Sequence, residues 1–185
     1  MNTALVPLFA LTVLSAGAAV IDARTRRIPN RLIVVGLAGG ALLNLATHLV
    51  NSGASPGGAL ALGALSLSLG IVVCGLVPLA LFRMGAMGGG DVKLLAVAGA
   101  CAGPLVGMQI QLAAFVLGAA FAIVQLGFTG QLARMLDNAL RLVQNPFRPP
   151  ARKRPISGAL LTSLPFGPAI FAATLLVTVT KGWVR

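Results

Sequence analysis

Glutamate is absent from this 185-residue chain, and only three acids remain: Asp22, Asp91 and Asp137. Charge of either sign is scarce, at 9% of residues, where a soluble domain carries roughly a quarter. A folded surface facing water cannot be built from so few charges, whereas one facing lipid can. The bilayer is therefore the expected solvent. Cysteine is almost missing as well. Cys74 and Cys101 both fall inside apolar runs with no CxxC pair, so ligand count excludes a zinc site. Each is read as a small apolar helix residue, and no metal or other cofactor is implied.

What the chain does have is apolar length and positive charge. Apolar residues make up 57% of it, and the formal net charge is +11. Such a charge is shared by nucleic-acid binders. Here the basic residues cluster between apolar runs, as the positive-inside rule places them, so no nucleic-acid partner is expected. Residues 4–21 carry Ala-Gly-Ala-Ala near their end, which looks like a signal-peptide cleavage site. The basic n-region that should precede such a stretch is absent, and Arg24, Arg26, Arg27 and Arg31 follow it instead. The run is read as a retained first span with its N-terminus outside.

A span needs about 20 predominantly apolar residues. Uncharged runs then give spans at 4–21 and 32–50, the second opening after Pro29-Asn30. Asn51 to Gly58 reads as a polar Gly/Pro/Ser loop, leaving a third span at 59–82. The uncharged stretch between Lys93 and Arg134 is too long for one span and enough for two. Gly103-Pro104 is the natural break, giving spans near 92–107 and 109–128. A sixth lies at 157–180. With the N-terminus outside, 12 of the 14 basic residues face inward, and only Lys181 and Arg185 lie outside. The expected architecture is all-α: one integral membrane domain over 1–185, with six spans. Between spans five and six, a cytoplasmic surface loop covers 129–156. In it Leu132, Leu136, Leu140 and Val143 recur at helical spacing after Thr129, a candidate N-cap. This predicts an amphipathic helix on the inner membrane surface, drawn to anionic lipid by Arg134, Arg141, Arg148, Arg152, Lys153 and Arg154.

Carboxylates at membrane depth are expensive and point to function. Asp22 falls at the inner end of span one and Asp91 at the inner start of span four, so topology alone puts both at one membrane face. Asp137 lies four residues before Arg141, which suits an i,i+4 ion pair. Two nearby carboxylates in a low-dielectric site share one proton. The ionised partner takes a proton from water while the protonated one polarises a carbonyl, which hydrolyses peptides without a covalent intermediate. Structural alternatives stand beside this. Asp22 can pair with Arg24 or Arg26, and Asp91 can serve the N-terminus of its helix. His48 falls near the outer end of span two, away from the acids, and Ser66 and Ser68 read as helix-packing residues. The rival functions are a small proton-coupled transporter and a noncatalytic subunit of a pilus or secretion assembly. The transporter would favour acids spread through membrane depth.

Met87-Gly88-Gly89-Gly90-Asp91-Val92-Lys93-Leu94-Leu95 resembles the Gly-x-Gly-Asp motif of type IV prepilin peptidases and other GxGD membrane proteases. Asp22 to Asn30 resembles that family's aspartate, basic loop and Ile-Pro-Asn. Leu164-Pro165-Phe166-Gly167-Pro168 resembles a third motif, in the final span. The resemblance implies that Asp22 and Asp91 are the catalytic pair of an aspartyl endopeptidase. It would remove prepilin or pseudopilin leaders at the cytoplasmic face of the bacterial inner membrane. Gly88 and Gly90 either let substrate backbone approach Asp91 or permit a tight turn. Lys93 reads as a topology anchor, and Pro165 and Pro168 as breaks in the last helix. The chain is more similar to short peptidases of tight-adherence (Flp) pili than to the bifunctional form with a cysteine-containing cytoplasmic domain, which leaves N-methyltransferase activity in question. A homo-oligomer is compatible with the sequence. Reporter fusions at Arg27, Arg83 and Lys153 should all read cytoplasmic; an outside signal at Arg83 would put the two acids on opposite faces.

Overall fold

The computed structural model describes residues 5–51, 53, 55–128, 136–137, 140–141, 144 and 165–183. Among them every regular element is a helix. The first, α1 (Val6–Thr25), opens with a proline in its first turn, where the missing N–H has no helical partner to lose. Its 20 residues rise about 30 Å, the thickness of the hydrocarbon core. It stops where Arg26 turns left-handed and donates its backbone N–H to the Asp22 carbonyl, 2.8 Å away. The second, α2 (Asn30–Asn51), starts directly after Pro29. Then comes α3 (Pro56–Arg83), capped by Ser55, whose hydroxyl accepts from the Gly58 N–H at 3.4 Å. The remaining two are α4 (Gly89–Phe128) and α5 (Gly167–Trp183). The first four are long and apolar enough to cross a membrane; α5 has 17 residues.

Only glycine fits the point on which α4 turns. Gly103 has φ 74 and ψ 176, and Pro104 follows it. In a straight helix Gly99 and Gly107 would lie about 12 Å apart. Here a methyl group on Gly107 would meet the Gly99 Cα at 2.9 Å. The chain therefore doubles back, and the limbs 89–102 and 104–128 lie side by side. Across from the turn, the backbones of Gly70 on α3 and Gly99 on α4 are in direct contact, with Cys74 against both Gly99 and Gly107. Helices come this close only where no side chain intervenes, which is how membrane helices gain dispersion contacts without a hydrophobic drive. The contact of α3 with α4 is the most extensive in the fold.

The buried core runs along α4. Leu94, Leu95, Val97 and Ala98 from its first limb and Ile110 and Ala114 from its second meet Leu11 and Ala18 of α1, Ile33 of α2 and Ile170 and Ala173 of α5. Large apolar residues also cover the outside, including Val13, Val35, Leu42, Leu76, Leu105 and Val116. An outer surface this apolar has lipid as its natural solvent, so the chain is a multi-pass membrane protein. Among the described residues, few polar contacts cross between helices. Thr12 and Thr178 share a hydrogen bond of 3.0 Å between α1 and α5, and the Asn44 amide of α2 donates to the Ala100 carbonyl of α4 at 3.0 Å.

Several predicted boundaries shift, for local reasons. The first helix runs past residue 21, so Asp22 sits on its last turn. The loop predicted over Asn51–Gly58 is shorter, because Ser55-Pro56 is itself a helix start. The predicted 92–107 and 109–128 spans divide instead at Gly103. Pro165 and Phe166 are extended and α5 begins at Gly167, so Pro168 sits in the first helical turn. It starts a helix that it was expected to break, since its fixed φ suits that position. Residues 157–164 of the predicted sixth span lie outside the described residues. So does most of the predicted amphipathic helix; residues 136–137, 140–141 and 144 of it are helical, and Asp137 pairs with Arg141.

Gly99→Ala should destabilise the protein by about 1–3 kcal/mol, as overpacking does, because its methyl would strike the Gly70 carbonyl and the Cys74 side chain. Gly75→Ala, which meets only Ala96 at 3.8 Å, should be neutral or mildly stabilising. Thermal melts of the two variants in detergent check the contrast.

Candidate active site

Three segments far apart in sequence close over one end of the bundle. They are the last turn of α1 with the loop after it, the turn opening α4, and the extended Pro165-Phe166 that leads into α5. Asp22 points inward from α1 and is 6% exposed. A carboxylate at the end of a helix faces that helix's unfavourable dipole and needs another donor. The first amide of α5 supplies it: Gly167 N–H donates to Asp22 Oδ2 at 2.9 Å. A methyl group on Gly167 would fall 2.9 Å from both Asp22 Cβ and Oδ2, so glycine is what permits the contact. Neither Arg24 nor Arg26 forms an ion pair with Asp22; the one ion pair among the described residues is Asp137–Arg141.

Asp91 is the third residue of α4, in the first turn, where the dipole favours a carboxylate. It is half-buried, and its Oδ1 is enclosed without a hydrogen-bond partner among the described residues. Asp22 is near enough to act on it electrostatically, and Gly88 hydrogen-bonds to it through the backbone. Topology had put both acids at one face; the fold brings their carboxyls within electrostatic reach.

The glycines before Asp91 serve close approach. None of Gly88, Gly89 and Gly90 has a positive φ; the left-handed turn residue is Gly85. A side chain at Gly88 would meet Asp91 Oδ2 at 2.9 Å, and one at Gly90 would press on Ile28 Cβ at 3.1 Å. Ile28 thus lies over the start of α4. Lys93 adds a second tie, its Nζ donating to Asn30 Oδ1 at 2.8 Å. It fastens the loop of the first acid to the helix of the second, a role the sequence did not show. Phe166 presses against Gly118 and meets the Phe115 ring at 5.9 Å between centroids. Phe115 carried no sequence signal, because it is one apolar residue among many on α4.

The other polar residues lie elsewhere. His48, Asn44, Ser66 and Cys101 line a cavity of about 150 Å³ at the opposite end of the bundle. No group of three metal-ligating side chains occurs among the described residues.

The chain is thus a helical, multi-pass membrane protein that gathers two carboxyls at one end of its bundle. A family model, the type IV leader peptidase family, matches residues 8–123, well over half the chain, and encloses both Asp22 and Asp91. The chain belongs to the type IV leader peptidase family, and it is of the protease kind. Neither a curated protein nor a solved structure matched it.

The contact of α1 with α5 is open to a test independent of activity. With Cys74 and Cys101 changed to alanine, the pair Thr12→Cys and Thr178→Cys, whose hydroxyls lie 3.0 Å apart, should form a disulfide under mild oxidation, seen on a gel after cleavage of the intervening chain. Cysteines at 12 and 137 should not.

Proposed function

We propose that this protein is an aspartyl endopeptidase of the membrane that removes the leader of prepilins or pseudopilins. Asp22 and Asp91 act as the catalytic pair on one activated water. One observation carries the reading: two of the chain's three acids come together at one end of an apolar bundle, with Asp22 buried and Asp91 half-buried. The type IV leader peptidase match supports it by making cleavage of a leader the expected reaction. Burial gives the dyad its chemistry, since two carboxyls in a low-dielectric site hold one proton between them. The supporting residues keep the pair in register: Gly88 and Gly90 by their lack of side chains, Lys93 through Asn30, and Pro165 to Pro168 by delivering the Gly167 amide.

In this reading the helices make six spans. The doubled-back α4 supplies two, and α5 with the segment before it supplies the last. The basic residues then set both acids at the cytoplasmic face of the inner membrane. The basic residues of 129–156 are drawn to anionic lipid at that face.

Co-expression with candidate prepilins, scored for leader removal on a gel, is the direct test. Asp22→Asn and Asp91→Asn should each lower cleavage at least about a hundredfold, as loss of a general acid or base does, while the protein stays in the membrane. Asp137→Asn should cleave as the parent does. Wild-type cleavage by either member of the pair would overturn the dyad.

A further inference from the structure

The two carboxyls of the proposed dyad stand in unlike surroundings, and the difference assigns their roles. Asp22 accepts a hydrogen bond from Gly167 N–H at 2.9 Å, at the positive end of α5. An amide N–H donates to an acceptor, so this Asp22 oxygen carries no proton in the contact. Asp91 offers the contrary. Its Oδ1 is enclosed and has no donor among the described residues. As a carboxylate, that oxygen would be a buried acceptor left unpaired; as a carboxylic acid it carries an O–H that can donate to a substrate carbonyl.

Two groups oppose this assignment: the first turn of α4 and the Gly88 backbone also favour charge on Asp91. They serve one side of the carboxyl and leave Oδ1 unpaired, whereas Asp22 is held directly by the Gly167 amide. Basic side chains do not decide the matter. Lys93 is engaged by Asn30, and Arg24, Arg26 and Arg27 are exposed and pair with neither acid.

Building on the dyad reading, we infer that Asp22 is the carboxylate that takes the proton from water and Asp91 is the acid that polarises the scissile carbonyl, with the Gly167 amide as the positioning group that fixes this order. In the forward step water gives one proton to Asp22 while its oxygen bonds to the carbonyl carbon. Asp91 passes its proton to the carbonyl oxygen, leaving a neutral gem-diol and a charged Asp91. Collapse to acid and amine then returns protons through the same pair, so nothing is oxidised and no co-reactant is needed.

The scarcity of acids makes the assignment measurable. With no glutamate and three aspartates, the infrared carbonyl stretch of a protonated aspartate can be read in the full-length protein in nanodiscs, using aspartate labelled with ¹³C at the carboxyl. Wild type should show one such band at neutral pH, lost in Asp91→Asn and kept in Asp22→Asn. A band that survives Asp91→Asn, or is missing from wild type, overturns the assignment. If instead either asparagine variant cleaves prepilin at the parent's rate, the dyad on which this assignment rests fails, whatever the spectra show.

The role of Gly167 needs a change that spares the fold. Gly167→Ala adds a methyl that collides with Asp22 and can unfold the site. Glycolic acid at position 167, introduced by nonsense suppression, replaces only the N–H by an ester oxygen. It should lower kcat about tenfold to a hundredfold, the weight of one hydrogen bond to a charged group, with KM within about threefold. In the Asp91→Asn background the same ester should restore a protonated-aspartate band, now from Asp22. Unchanged kcat with no restored band would make the Gly167 amide merely structural.

Discussion

The placing of the two acids depends on how closely α3 and α4 approach at Gly70, Gly99 and Gly107. Lipid offers these helices no hydrophobic reason to associate, so adhesion comes from dispersion between backbones with no side chains between them. The same glycines let α4 double back at Gly103, where a positive φ is required. Two limbs then pack beside α3, and the first carries Leu94, Leu95 and Val97 into the centre of the core. Asp91 stands one helical turn before Leu94 and Leu95, so anchoring those leucines fixes where its carboxyl can point. A side chain at Gly99 would act on the acid pair at a distance, by loosening the helix that holds it.

The proposed site is assembled from helix ends. Asp22 closes α1, Asp91 opens α4 and Gly167 opens α5. Helix ends are where a membrane protein has unsatisfied backbone donors to spend on function, since within the spans every N–H is already engaged. One such donor is turned onto a buried carboxylate here. The connecting loop is pinned by Ile28 against Gly90 and by Asn30 on Lys93, so the chain between α1 and α2 holds the first acid's helix to the second's.

Much of this architecture is legible in the amino-acid sequence. Apolar run length marks four of the helices, and Gly103-Pro104 marks the break in α4, because both signals are local. Helix boundaries are less legible. Charge ends an apolar run, whereas hydrogen bonding ends a helix. Thus α1 runs on through Asp22 to a left-handed Arg26, and α3 begins at the cap that Ser55 forms. Pro168 departs from expectation for a related reason: proline disrupts a helix interior but suits its first turn, and residue type alone does not say which applies.

The sequence by itself determined the solvent, the helical class and the nomination of Asp22 and Asp91, since so few acids in so apolar a chain leave little else to consider. Only the tertiary structure decided what each acid touches. The Gly167 amide lies 145 residues from Asp22, and Lys93 meets Asn30 across 63; no periodicity or spacing encodes such pairs. They arise when helices that are individually featureless on their apolar faces settle into one packing, and that choice rests on shape, on which glycine faces which backbone.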